Sequence, residues 1–285
     1  MRPALRRRFS WSRIGLIAVM AAVGIFMLLP IVFLVNNAFK PLNEMFLFPP
    51  RIFVQNPTTY NFEQLFLHSA AGVVPFSRYL FNSAFISLAT TFAVIVVSTM
   101  AGYVLSKHRF HFKASIMGAI MIALMFTPET VSIPRYLIVS GLGLKDTYWA
   151  HVLPFLASPV AVFLMKQFID QIPDSLIEAA KLDGAAERYI FLRIILPLTS
   201  PAVATTGIIT FQLVYMDVEA SSLYMTKETM KTLSYYAEAM SQNIPGAAQV
   251  SIAAAIGLMM FVPNLVIFLI FQRRMIQTML HSGVK

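Results

Sequence analysis

The chain has 285 residues, 58% of them hydrophobic and only 12% charged, with a mean hydropathy of +0.70. Soluble domains carry about 25% charged residues, so the composition fits a lipid solvent and argues against a water-soluble enzyme. Cysteine is absent, which excludes a disulfide framework, a thiol nucleophile and a Cys-based metal site.

A spanning helix needs about 20 mostly apolar residues. Apolar stretches occur at residues 14–35, 80–106, 114–128, 147–165, 194–216 and 239–272. The third is short before Glu129, so it either stays short or continues past a break. Backbone polar groups in lipid must pair internally, so stretches of this length predict helices. The fold class expected is an all-α polytopic protein with six transmembrane helices. It divides into residues 1–13, a single membrane domain over 14–271, and a tail over 272–285.

The opening "MRPALRRRFSWSRIG" has the charge of a signal peptide. The apolar run behind it exceeds a signal core of about 7–15 residues, and no A-x-A site follows, so a retained first helix is expected. Six spans put both termini on one side. That side holds Arg2, Arg6, Arg7, Arg8, Arg13, Lys107, Arg109, Lys113, Lys166, Lys181, Arg188, Arg193, Arg273, Arg274 and Lys285. The other holds Lys40, Arg51, Arg78, Arg135, Lys145, Lys227 and Lys231. Lys and Arg gather in cytoplasmic loops, so both termini are expected in the cytoplasm. The net charge of +9 then needs no nucleic acid to explain it.

Between spans one and two, residues 36–79 contain "FKPLNEMFLFPPRIFVQNPTTYNF". Its prolines and asparagines forbid one continuous helix, and an irregular external cap or short helices are expected. Histidines are scattered. His108 and His111 lie in a basic loop, where solvated loop residues are expected and not a metal site. Glu129 is the one candidate intramembrane charge, expected at the external end of span three, so the buried ionisable groups of an ion-coupled carrier are missing.

Between spans four and five runs "IPDSLIEAAKLDGAAERYIFLRIILPL". Ser175 and Glu178 have the spacing of a capping box, which predicts a helix starting near Leu176. Gly184 is placed to end it in the left-handed conformation. A second helix is predicted from Ala185 to about Leu196, with Pro197 and Pro201 interrupting it. One reading is an ordinary solvated connector. The other is a fixed docking projection. The alanines flanking the turn, and Leu176, Ile177, Tyr189 and Leu192 that call for burial, favour the second.

This segment resembles the EAA loop of ABC importer permeases. The family pattern is E-A-A, three residues, G, nine residues, I, one residue, L-P. Glu178, Ala179, Ala180, Gly184, Ile194, Leu196 and Pro197 stand in that register, with Asp183 and Phe191 also as in the common form. The likeness covers nearly the whole chain and is closest to maltose-type (MalG-like) carbohydrate permeases, through "NAFKPLNEMFLFPP", "FNSAFISLATTFAVIVVSTMAGYVLSKHRF", "GLGLKDTYWAHVLP" and "QRRMIQTMLHSGVK".

The resemblance implies a type I (MetI-like) permease fold in a bacterial cytoplasmic (inner) membrane. It implies that residues 174–201 form a coupling loop seated on an ATPase subunit. Glu178 would be the polar contact, Gly184 would set the bend and Pro197 would end the second helix. The implied partners are a second permease subunit, two copies of a cytoplasmic ATPase, an extracytoplasmic solute-binding protein and lipid. No P-loop occurs, and "GLGLKDT" lacks its spacing. ATP and Mg would therefore belong to the partner ATPase, with no catalytic residue, cofactor or metal in this chain.

One departure concerns the substrate. Such sugar permeases carry a W-N-D-F-like stretch late in span five, where this chain has "YMDVEASSLYM". Tyr215, Asp217 and Glu219 are the candidate pathway residues. The two acids are open to two readings, as acceptors for sugar hydroxyls or as water-facing residues at a helix end. By position in the family, the loop between the last two spans would reach the binding protein, with Asn243, Pro245 and Gly246 at its tip. An ordinary helix-capping loop is the alternative there. A non-sugar solute is the alternative for the cargo, and an ion-coupled carrier the alternative for the mechanism.

Overall fold

The computed structural model describes residues 11–45, 47, 53–70, 74–243 and 247–282. Among them the secondary structure is helical throughout, with no strand. The helices are α1 (Trp11–Ala38), α2 (Leu42–Met45), α3 (Tyr60–Ala70), α4 (Phe76–Lys107), α5 (Lys113–Ala123), α6 (Pro128–Gly141), α7 (Trp149–Leu156) and α8 (Pro159–Asp170). They continue with α9 (Asp174–Leu182), α10 (Glu187–Ile190), a π-helical turn (Phe191–Ile195), α11 (Leu196–Leu198), α12 (Ser200–Tyr215) and α13 (Glu219–Tyr224). A 3₁₀ turn (Glu228–Met230), α14 (Leu233–Asn243) and α15 (Ala247–Ser282) complete the order.

Among the described residues, three stretches are long and apolar enough to cross a membrane unaided: Gly15–Ala38, Phe76–Lys107 and Val250–Arg273. Three bent pairs bring the number to six when each counts as one span. α5 and α6 meet at 112°, α7 and α8 at 45°, and the α10–α11 stretch meets α12 at 75°. The short third stretch of the sequence is thus followed by a break and a second helix, α6. Pro128 opens α6 at its first turn, where a missing N–H does no harm.

The chain falls into two compact units, Met1–Leu65 with Asn243–Met259, and Phe66–Gln242 with Met260–Lys285. In the first unit, the stretch after α1 is a fold of short helices and loops. Glu44 is buried, and its carboxylate accepts from the Gln55 and Asn56 backbone N–H groups at 3.1 and 2.9 Å. The Asn61 side chain donates to the Ala38 and Lys40 carbonyls, both at 2.9 Å. A buried carboxylate is tolerable only when satisfied in this way. The prolines and asparagines that forbid a long helix here supply the turns and bonds of the alternative.

In the second unit, α4 is the central element. Its buried face carries small and polar residues, including Asn82, Ser83, Ser87, Thr90, Ser98 and Gly102, at helical spacing. Small residues let helix backbones approach closely, which matters in lipid because helix association there gains nothing from expelling water. A Cβ on Gly102 would lie 3.0 Å from Lys166 N and 3.0 Å from Met165 Cβ of α8. A Cβ on Gly207 of α12 would lie 3.3 Å from Ile95 Cδ1 of α4.

Gly102 gives a direct test. A Gly102→Val variant must push α8 away from α4, an overpacking cost of about 1–3 kcal/mol. Its thermal unfolding midpoint in detergent should fall well below that of the unaltered protein, with Gly102→Ala between the two. Equal midpoints for all three would mean the close approach is dispensable.

Candidate functional site

α8 ends at Asp170, and the chain turns through Gln171–Pro173 into α9. The predicted capping box does not form. The N-cap is Pro173, with no side-chain capping bond, and the helix begins two residues earlier than expected, at Asp174. Two effects favour the earlier start, one local and one tertiary. Asp174 places a negative charge in the first turn, where the helix dipole favours it, and its Oδ1 accepts from Lys107 Nζ at 2.7 Å. That hydrogen bond, with the Lys107 charge, holds the Asp174 carboxyl below the usual carboxylate range.

The stop at Gly184 forms as the sequence predicts. Gly184 has φ +77. Its N–H donates to Lys181 O at 3.1 Å, and Ala185 N–H donates to Ala180 O at 2.9 Å. These two bonds together make a Schellman motif. The second leg differs from expectation. It runs through the π turn Phe191–Ile195 into α11, so the helix continues past Pro197 to Leu198 and breaks at Thr199. A proline lacks the N–H and crowds the carbonyl four residues before it. The wider π register just ahead of Pro197 relieves that conflict. Pro201 then sits in the first turn of α12.

Beneath the hairpin lies an apolar cluster of Tyr103, Ile169, Ile172, Ile177, Ile190 and Ile195, with Ala180, Ala185, Phe191 and Ile194 packed against it. Of the four apolar residues expected to be buried, only Ile177 is. Leu176, Tyr189 and Leu192 stay exposed, and Leu182 at the crest is 89% exposed. Glu178, Ala179 and Asp183 are exposed beside them. A groove of about 690 Å³ is lined by Ala180, Asp183, Gly184, Ala185, Ala186, Tyr189, Arg193 and Ile194. The arrangement is a rigid projection with an apolar crest and a small-residue flank. Such a surface can seat against a partner, since its turn is fixed by backbone bonds and its apolar residues lie exposed among the described residues.

Sequence reasoning missed the residues that hold the hairpin to α4. Glu187, at the start of α10, accepts from the Tyr103 hydroxyl at 2.5 Å and lies 3.0 Å from His108 Nε2 and 3.4 Å from Lys181 Nζ. His108, expected as a solvated loop residue, is thus a partner of this carboxylate. The one available signal was Tyr103 and Lys107, four residues apart at the end of a helix and so on one face.

The other candidate residues lie where α12 ends and α13 begins. Tyr215 is buried and stacks on Phe211 at 5.3 Å. Asp217 Oδ2 accepts from Ala220 N at 3.0 Å, and its backbone carbonyl accepts from Ser234 Oγ at 2.7 Å. Glu219 Oε2 lies 3.9 Å from Arg135 Nη1. Tyr215, Asp217 and Glu219 therefore gather at one end of α12. Burial pushes the Asp217 carboxyl up to about 6.

Beyond them, the segment from Tyr224 to Leu233 is strapped down. Asp146, at φ +57, accepts from the Thr226 hydroxyl and the Thr226 and Lys227 N–H groups. Arg78 and Asn82 donate to the Thr229 carbonyl, and Leu233 N–H donates to Ser83 Oγ. Asn243 ends α14, and Pro245 and Gly246 lie outside the described residues.

Broken spans around a central helix, with a fixed hairpin projecting between two of them, define a multi-span membrane-transport subunit. Residues 4–277 match the binding-protein-dependent transport system inner membrane components, and the chain belongs to that family. It is 28% identical over 278 residues to the arabinooligosaccharides transport system permease protein AraQ of Bacillus subtilis (strain 168), covering 98% of each chain. It is 33% identical over 218 residues to the trehalose transport system permease protein SugB of Mycobacterium tuberculosis (strain CDC 1551 / Oshkosh), covering 74% of this chain and 77% of that one. Among solved structures it is similar to a bacterial ABC transporter involved in the import of the acidic polysaccharide alginate, with a TM-score of 0.80 at 20% identity, covering 95% of this chain and 99% of that one. That likeness gives the fold, which is the ABC importer permease fold the sequence led us to expect.

Two measurements test the geometry. A Cβ at Gly184 meets no atom within 4 Å, so the cost of Gly184→Val is backbone strain alone, about 1–2 kcal/mol. Gly184→Asn should unfold closer to the unaltered protein than Gly184→Val does, and the reverse order would contradict the left-handed turn. For Asp217, an acid whose folded pKa is raised takes up a proton on folding, so its ionised form lowers stability as pH rises from about 3.8 to about 6. Asp217→Asn should therefore raise the unfolding temperature at neutral pH, with the gain vanishing as pH falls through that window. A gain independent of pH would contradict the burial of this carboxyl.

Proposed function

We propose that the chain is one of two membrane subunits of an ATP-driven, binding-protein-dependent importer of carbohydrate, oligosaccharides above all. The observation that carries the coupling is the hairpin. α9 and α10 are locked by the Gly184 turn and expose Leu182, Leu176 and Tyr189 beside Glu178. A chain without a P-loop needs such a handle for a partner that has one. Two copies of a separate ATPase hold ATP and Mg, and this chain performs no covalent chemistry. The sugar reading is supported by the names of its relatives in arabinooligosaccharide and trehalose transport.

In this reading both termini face the cytoplasm with the hairpin, and residues 14–271 act as one membrane domain. Glu178, Ala179, Ala180, Asp183, Gly184, Leu196 and Pro197 shape the ATPase contact. When ATP draws the two ATPase copies together, the hairpins follow and the pathway opens toward the binding protein. Hydrolysis resets it. Tyr215, Asp217 and Glu219 would line the pathway near its outer end, and Asn243, Pro245 and Gly246 would meet the binding protein.

The reading is tested by purifying the tagged chain in mild detergent and identifying what accompanies it. A second permease, an ATPase and a solute-binding protein are expected, and a ligand screen on that binding protein should return a sugar. Glu178→Lys and Gly184→Asp should abolish uptake or release the ATPase while the chain still inserts. Full uptake with normal ATPase recovery in both variants would sink the coupling role. A binding protein selective for a non-sugar solute would sink the carbohydrate assignment alone.

A further inference from the structure

Glu187 is bonded from three separate places. Tyr103 lies within the last turns of α4, His108 just beyond them, and Lys181 in the last turn of α9 across the Gly184 turn. A second tie lies alongside. Lys107 Nζ donates to the Ile172 carbonyl at 2.5 Å and to Asp174 Oδ1 at 2.7 Å, where the chain enters α9. The end of α4 thus holds both legs of the hairpin, around a cavity of about 280 Å³ lined by Tyr103, Lys107, Arg109, Asp174, Glu178 and Glu187 among others.

Exposed ion pairs are commonly worth little, and Lys181–Glu187 is of that kind. Tyr103 is different. It is 4% exposed, packs on Phe191 and His108 at 5.6 and 5.3 Å between centroids, and belongs to the apolar cluster under the hairpin. Its hydroxyl is fixed by that packing, so the bond to Glu187 costs little side-chain entropy. A hydroxyl on a carboxylate is also among the stronger hydrogen bonds.

We propose that Glu187 is a positioning residue that clamps the hairpin to α4, so that α4 and α9–α10 move as one body when a partner acts on the hairpin. The proposal rests on the coupling reading above. It adds the route by which displacement leaves the hairpin: through Glu187 and Tyr103 into α4, and from α4 into α8 and α12 packed on it.

The test uses the complete importer with its second membrane subunit, ATPase and binding protein. The chain has no cysteine, so thiols can be placed at will. Arg109→Cys and Asp174→Cys flank the cavity; the second gives up the Lys107–Asp174 bond, and both leave Glu187 and its three partners in place, so that the Glu187 clamp is tested without the second tie. A short bifunctional thiol reagent should cross-link them at the same rate without nucleotide and with ATP and vanadate. Cross-linking should also change the ATP turnover of that double variant less than about twofold, since groups within one rigid body lose no needed motion.

Cross-linking in only one state, or loss of turnover on cross-linking, would overturn the clamp. In the same background, Glu187→Gln and Tyr103→Phe should each slow cross-linking in the vanadate state about tenfold, the worth of one charge-assisted hydrogen bond. Combining them should add nothing further, and Glu187→Asp should recover part of the rate. Additive effects would refute the Tyr103–Glu187 link. If the Glu187 variants instead lose the ATPase, Glu187 belongs to the docking surface and the clamp is refuted. If the unaltered chain never recovers an ATPase, it is the coupling reading that fails.

Discussion

The approach of α4 to α8 at Gly102 is the contact on which the rest of the second unit depends. Where any other residue would place a Cβ, the α8 backbone at Lys166 stands 3.0 Å away. Expelled water does not drive helices together in lipid, so close packing and hydrogen bonds must do so. Both follow from this approach. One turn further along, Ser106 Oγ donates to Asp170 Oδ1 at 2.6 Å, and Asp170 also receives Lys166 Nζ at 2.5 Å. The end of α8 is therefore fixed against the end of α4. The hairpin starts from a defined point because the two helices touch one turn earlier.

The broken spans are a second consequence of a backbone that must find internal partners. The bend of 75° ahead of α12 is a graded event. The π turn admits Pro197, and at the break the Thr199 hydroxyl donates to the Ile195 carbonyl at 2.9 Å. Thr199 is buried, and its hydroxyl finds a partner by joining its own N–H, at 3.0 Å, on that carbonyl. The same bend turns the second leg of the hairpin away from the axis of α12. The geometry that looks like a defect in a span is what lets the hairpin project.

The sequence made some of this legible and hid the rest for physical reasons. The number of spans and the turn at Gly184 rest on local rules, apolar length and left-handed backbone; the turn is recovered, and the spans number up to six when each bent pair counts as one. The capping box was a local rule that lost to a tertiary one, because Lys107 reaches Asp174 from α4. Leu176, Tyr189 and Leu192 call for burial by hydropathy and lie exposed among the described residues, since hydropathy does not say which surface supplies the cover. The strap from Tyr224 to Leu233 was read as part of an open loop. Its partners Arg78, Asn82, Ser83 and Asp146 are distant in sequence, and no periodicity announces them. The acids at Asp217 and Glu219 were visible as charges, but the bond from Ala220 N–H to the Asp217 carboxylate could be seen only in the fold.

The two ends of α4 do similar work. At its start, Arg78, Tyr79, Asn82 and Ser83 bond the strap, with Tyr79 donating to Glu228 Oε2 at 3.2 Å. At its other end, Tyr103, Ser106 and Lys107 bond the hairpin and its approach. Between them lie 32 residues of helix, about 48 Å at 1.5 Å per residue. α1 and α15 each contain an internal proline, Pro30 and Pro263, and α4 contains none. Sharp helix kinks arise at prolines, π-bulges and inserted polar groups, and α4 runs unbroken from strap to hairpin. A displacement delivered at Glu187 would thus reach the strap with little lost to bending, whereas the bent pairs around α4 have hinges at which to take up the strain.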